Sequence, residues 1–99
     1  MTRIYISGPI TGIKGYMERF RKAEEVLKEC GAEVVNPAKV IAEMPEGLTH
    51  GECMKLSLAM LGTCNGIFML EDWQESTGCN IEFEFAYEHK MTIFFEGGK

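Results

Sequence analysis

The sequence predicts a small three-layer α/β domain with a parallel sheet of about four strands. Three observations predict it. Short β-branched and aromatic runs alternate with segments of helical spacing through all 99 residues. One run, Gly66 to Leu70, is continuously apolar, as in a strand buried on both faces of a parallel sheet. The one connection that would have to be a hairpin, Glu88-His89-Lys90, contains no Gly, Asn or Asp to make the turn.

The elements follow in order. Arg3-Ile4-Tyr5-Ile6-Ser7 is a strand that stops at Gly8-Pro9. Gly8 to Gly15, with three glycines and a proline, is loop. From about Tyr16 to Cys30, the residues Phe20, Ala23, Leu27 and Cys30 recur at helical spacing with charges between them, and Gly31 stands where a C-terminal cap belongs. Glu33-Val34-Val35 is a short strand closed by Asn36-Pro37. Residues 38–50, with Pro45, Gly47 and weak periodicity, read as a long loop and a candidate lid. Met54, Leu58, Leu61 and Cys64 mark a second helix, and Gly66–Leu70 is the next strand. Ile81-Glu82-Phe83-Glu84-Phe85 fits a half-buried strand by its alternation and a helix by the shared face of Ile81 and Phe85. The missing turn at 88–90 favours helix, with Met91–Phe95 as the last strand. The order βαβαβαβ then calls for a parallel sheet with right-handed crossovers.

A chain of 99 residues has room for one core, so residues 1–99 form a single domain. Its 45% apolar and 25% charged fractions are those of a globular protein. Net charge is −5, and the basic residues are scattered among acids, as in Glu18-Arg19-Phe20-Arg21-Lys22-Ala23-Glu24-Glu25. A nucleic-acid polymer wants a basic stripe, so none is expected as a partner. A small anion is still allowed, because a helix start can hold one on backbone N–H groups. The apolar runs are only a few residues long, so no membrane span is predicted. Cysteines at 30, 53, 64 and 79 form no CxxC pair, and neither His50 nor His89 completes a finger-like spacing. They read as reduced thiols in a cytoplasmic protein without metal or cofactor.

Parallel sheets of this kind bind ligands outside the carboxyl ends of their strands. Three segments leave that edge: Ser7-Gly8-Pro9-Ile10-Thr11-Gly12, Asn36-Pro37, and Glu71 through Gly78. The first is glycine-rich but is neither a dinucleotide fingerprint nor a P-loop, and a tight turn explains it equally well. In the third, Ser76-Thr77-Gly78 opens the last helix, where a hydroxyl caps it and free N–H groups attract an anion. Glu82 falls about one turn farther in. A carboxylate so placed can attack a sugar anomeric carbon; Glu82 and Glu84 also fit the solvated side of a helix. Trp73 can stack on a base or cover a helix end. Tyr5 can aim its hydroxyl at the site or pack in the core, while His50 and His89 lack a partner at a familiar spacing.

Taken together, these segments resemble the nucleoside 2-deoxyribosyltransferase-like superfamily, particularly its short phage and bacterial members. The likeness spans nearly the whole chain: Ile4 to Gly12, then Val34-Val35-Asn36-Pro37-Ala38, then Leu61, Cys64, Asn65 and Ile67, then Trp73, Ser76, Gly78, Cys79, Glu82 and Ala86. The resemblance implies a Rossmann/flavodoxin-like fold with the last motif on a helix. It implies Glu82 as a nucleophile that attacks C1′ of a deoxyribose and releases the base, leaving a glycosyl-enzyme intermediate for water or a second base. Tyr5 matches the tyrosine that orients that carboxylate. Ser7, Gly8, Pro9, Ile10 and Gly12, with Trp73, Ser76 and Gly78, match substrate-binding positions.

Two departures qualify the resemblance. Ser76 stands where the transferases carry an aspartate for the sugar 5′-hydroxyl, and so resembles the serine of the 2′-deoxynucleoside 5′-phosphate N-hydrolases. A hydroxyl at a helix start accepts a phosphate that a carboxylate would repel. The acidic residue on the second helix falls at Ser57, and an aspartate before the central strand falls at Asn65. Glu52, Glu71 and Asp72 are the nearby carboxylates left to protonate a leaving base in their place. The sequence thus predicts an N-glycosidase or deoxyribosyltransferase for a nucleoside or its 5′-monophosphate, with a non-catalytic nucleotide-binding module as the alternative. A homodimer or larger homo-oligomer is expected, since the resembling enzymes complete their pocket from a neighbouring subunit.

Overall fold

In a computed structural model, residues 2–98 are described. Four parallel strands, β1 (Arg3–Ser7), β2 (Glu33–Val35), β3 (Gly66–Met69) and β4 (Thr92–Phe95), form one sheet in the order β2-β1-β3-β4. Four helices connect them: α1 (Tyr16–Glu29), α2 (Pro37–Glu43), α3 (His50–Leu61) and α4 (Thr77–Glu88). Residues 81–85 lie inside α4, which resolves the strand–helix ambiguity in favour of helix.

The sheet divides the core into two layers because strand side chains alternate. Ile4 and Ile6 of β1 pack with Phe20, Ala23 and Leu27 of α1. Tyr5, Ile67 and Met69 face the other way, against Leu61 of α3 and Cys79 and Ala86 of α4. Phe20, Ala23 and Leu27 of the stripe read on α1 are buried, whereas its last member, Cys30, is the exposed C-cap of the helix.

The expected long loop at 38–50 is corrected: residues 37–43 are helix, and α3 already begins at His50. Asn36 caps α2, its Oδ1 accepting from the Ala38 N–H at 3.0 Å, and Pro37 occupies the first turn, where a missing N–H costs nothing. The helix is held from outside its own length. Ala38 is fully buried in the α1 layer, and Asn36 Nδ2 donates to Glu24 Oε1 of α1 at 3.0 Å. Seven residues are too few for periodicity to show. What remains of the loop, residues 44–49, ends in a capping box: Thr49 Oγ1 accepts from the Glu52 N–H at 3.1 Å, and Glu52 Oε1 accepts from the Thr49 N–H at 2.8 Å.

Connections leave β1 toward β2 on one side and β3 toward β4 on the other. The crevice between the carboxyl ends of β1 and β3 is thus the topological switch point of the sheet. Ser7 and Gly8 leave one wall of it, and Leu70 leaves the other.

Candidate active site

Glu82 is the centre of this crevice. It lies in the second turn of α4 with its side chain aimed inward at β1, and only 6% of its surface is exposed. Tyr5 and Ser7, two residues apart on β1, present hydroxyls on the same face and divide the carboxylate between them. Tyr5 Oη donates to Oε2 and Ser7 Oγ donates to Oε1, each at 2.6 Å. Ser57 of α3, itself buried, brings a third hydroxyl toward Glu82 and Tyr5. Burial pushes the Glu82 carboxyl above the usual carboxylate range, and hydrogen bonds from Ser7, Tyr5 and Ser57 oppose that rise. Burial, with the neighbouring Glu82 charge, raises the Tyr5 phenol well above its ordinary value, so it stays a donor. The solvated-face reading of Glu82 is excluded by its burial; Glu84 is the exposed member of the pair.

Above the carboxylate lies a cavity of about 460 Å³, of the size small-molecule sites take. One wall is the loop Gly8-Pro9-Ile10-Thr11; another is Ser76-Thr77-Gly78-Cys79 at the start of α4. Ser76 is the N-cap of α4, its Oγ accepting from the Cys79 N–H at 3.3 Å. A third wall is one face of α3, carrying His50, Cys53, Met54 and Ser57 at helical spacing. The helices meet closely there. A Cβ on Gly78 would stand 3.1 Å from Met54 Sδ and 3.6 Å from His50 Nε2, so a glycine is what lets α3 approach. Arg19 of α1 and Asp72 and Glu75 after β3 complete the rim. Burial raises the Cys79 thiol, opposed by the hydroxyls of Ser76 and Ser7, and so keeps it protonated.

Of the residues singled out in the sequence, Glu82, Gly8, Pro9, Ile10, Ser76 and Gly78 line this cavity, and Tyr5 stands behind Glu82. Ser7 bonds to the carboxylate and does not line the cavity. Gly12, at φ +73°, sits in the turn between the lining residues Thr11 and Ile13 without lining the cavity itself. Trp73 is elsewhere: it stacks on Phe83 with ring centroids 4.7 Å apart, tilts against Phe95 at 6.2 Å, and lines a separate cavity with Met69, Leu70 and Asp72. It packs between α4 and β4 against the core cluster of this layer.

Among the substitutes for the missing acid, Asp72 reaches the cavity, held in the left-handed region at φ +70°. Glu52 is spent on the α3 cap, and Glu71 lies beside the C-terminal turn, its N–H donating to Glu96 Oε1 at 2.8 Å. Asn65 is at the opposite edge of the sheet, where its Oδ1 accepts from the Arg3 N–H at 2.7 Å. That position is structural here. His50 and Arg19 were not legible as site residues from the sequence. The spacing 50, 53, 54, 57 was the available signal for His50; nothing local marked Arg19.

Comparison with known proteins accords with this architecture. A profile of the family described as a domain of unknown function, DUF4406, matches residues 2–95. The chain belongs to that family. No curated protein matches it by sequence. Among solved structures it is similar to a 2-deoxyribosyltransferase from the psychrotolerant bacterium Bacillus psychrosaccharolyticus, with a TM-score of 0.74 and 21% identity over 94% of this chain and 70% of that one. It is similar also to a 2-desoxiribosyltransferase from Leishmania mexicana, with a TM-score of 0.71 and 14% identity over 96% of this chain and 63% of that one. These likenesses establish the fold. This DUF4406 chain therefore has the nucleoside 2-deoxyribosyltransferase-like fold, at about two thirds of those enzymes' length.

Proposed function

We propose that this protein breaks the N-glycosidic bond of a deoxynucleoside or its 5′-monophosphate, with Glu82 as nucleophile. The observation that carries the proposal is the buried Glu82 carboxylate beneath the cavity, each oxygen held at 2.6 Å by a separate hydroxyl. A carboxylate whose rotamer is fixed and whose water shell is excluded is prepared to attack one carbon. In the first half the C1′–N bond breaks, a C1′–O bond to Glu82 forms, and the base leaves with the bonding pair and takes up a proton. In the second half water or another base attacks C1′, and the carboxylate regains its pair. Asp72 and Glu75 are the carboxylic groups at the cavity from which the leaving base can draw its proton. Ser76 and the first turn of α4 receive the 5′ end. Their hydroxyl and N–H donors suit a phosphate, and His50 and Arg19 are the basic side chains in the same lining.

A second reading is a nucleotide-binding module on the same fold, favoured by Ser57, a hydroxyl on the α3 face where the resembling enzymes carry an acid. Chromatography of deoxynucleosides and their 5′-monophosphates after incubation separates the two. The proposal expects free base with the wild type and none with a folded Glu82→Gln variant, a loss of at least about 10³-fold. Activity persisting in that variant removes Glu82 as nucleophile. Intact substrates throughout, together with calorimetric binding of a monophosphate, establish the module.

A further inference from the structure

We propose that Ser7 is a positioning residue for the Glu82 carboxylate, acting on it as nucleophile and as leaving group, and is not a substrate ligand. The proposal rests on the reading of Glu82 as nucleophile. Ser7 is 1% exposed and touches the cavity nowhere, yet its Oγ lies 2.6 Å from Glu82 Oε1. Its backbone cannot drift. The Ser7 carbonyl accepts from the Leu70 N–H at 2.8 Å, and a Cβ on Gly8 would lie 2.5 Å from Leu70 Cδ1, so the chain leaves β1 pressed against the end of β3. Tyr5 occupies the other oxygen, so neither hydroxyl can replace the other.

Two donors on one carboxylate have opposite effects on the two halves of the reaction. They stabilise the free anion and so restrain its attack on C1′. When the C1′–O bond breaks, the pair returns to an anion already solvated by both hydroxyls, which favours release of the sugar to the acceptor. Ser7 therefore trades speed of base release for speed of turnover, and it prevents the glycosyl-enzyme from accumulating. The charged or titratable groups around Glu82 are Tyr5 from β1, Cys79 from α4, His50 and Cys53 from α3, Asp72 and Glu75 from the segment after β3, and Arg19 from α1. Ser7 Oγ and Tyr5 Oη make the 2.6 Å bonds to the carboxylate, and the buried Ser57 hydroxyl of α3 approaches it as a third donor.

The test is a carbon-13 titration of the Glu82 carboxyl in wild type, Ser7→Ala and Ser7→Thr, with rapid-mixing kinetics on the same proteins. Ser7→Ala is expected to raise the Glu82 midpoint by about one pH unit. It should slow breakdown of the intermediate by about 10- to 100-fold, visible as a burst of free base, with kcat and KM falling together and kcat/KM little changed. Ser7→Thr, which keeps the hydroxyl, should restore both. Should Ser7→Ala not fold, Ser7→Cys keeps the volume, weakens the donor and is expected to shift in the same direction. An unchanged midpoint and no burst in a folded variant overturn the proposal. A wild type that releases no base overturns instead the nucleophile reading, and the titration then still decides whether Ser7 sets this carboxylate.

Discussion

Glu82 is a carboxylate from which water has been removed and to which hydroxyls have been supplied. Burial pushes its carboxyl up, and the donors from Ser7, Tyr5 and Ser57 pull in the opposite direction, toward the anion. The residue next in line is Gly8, whose role is steric. A methyl there would meet Leu70 Cδ1 at 2.5 Å, Cγ at 3.1 Å and Cβ at 3.2 Å, and Leu70 is fully buried. Gly8→Ala should therefore destabilise the fold by about 1–3 kcal/mol through overpacking. It should also displace Ser7 and weaken activity beyond the stability loss. Chemical denaturation and assay of the same preparation check both, and a neutral substitution would show that Leu70 can yield.

Among the elements, α2 depends most on its surroundings. It is joined to α1 through Glu24, a buried carboxylate that accepts from Asn36 Nδ2 at 3.0 Å and pairs with Lys39 Nζ at 2.9 Å and Lys28 Nζ at 2.7 Å. Burial would push this carboxyl up, but the hydrogen bonds from Lys28, Asn36 and Lys39 outweigh it and hold it at about 2 against an ordinary 4.5. A depressed native value contributes stability that is present above about 4.5 and is lost as pH falls toward 2. Denaturation of wild type and Glu24→Gln between pH 7 and 3 should show the wild-type advantage at neutral pH shrinking below about 4.5. A constant difference would mean that the charge contributes nothing. Because Ile41 of α2 lines the cavity, loosening this tie also loosens one wall of the site.

For the molecule as a whole, the sheet order decides where chemistry can happen. With β1 and β3 adjacent and their connections running to opposite edges, the carboxyl ends of these two strands open a crevice, and α3 and α4 roof it. No helix among the described residues is long and apolar enough to cross a membrane. The α3–α4 layer carries half-buried Leu56 and exposed Ile81 and Tyr87, apolar area that a second copy would cover. A homo-oligomer is the expected state, and light scattering on the size-exclusion peak should give at least a dimer. A clean monomer that still turns over would show that one chain makes the whole site.

Sequence alone determined whatever depends on local pattern. The four strands, the buried Phe20, Ala23 and Leu27 of α1 and the Ser76 cap follow from periodicity and punctuation, because each records which face of a short segment is buried. Around Glu82 the period fits strand and helix alike, and the missing turn at 88–90 favours helix. Motif order added the pairing of Tyr5 with Glu82, 77 residues apart. Tertiary structure alone decided the rest. Residues 37–43 became helix because Glu24 and the α1 layer receive them, and their own periodicity is too short to show it. Trp73 turned to Phe83 because an aromatic partner on α4 was at hand, which no spacing within 71–78 reveals. Ser7 bonds to the Glu82 carboxylate, and His50 and Arg19 reach the cavity, for one reason. Which groups meet across a crevice is fixed by how strands and helices pack, and a sequence read locally holds no distances between its distant parts.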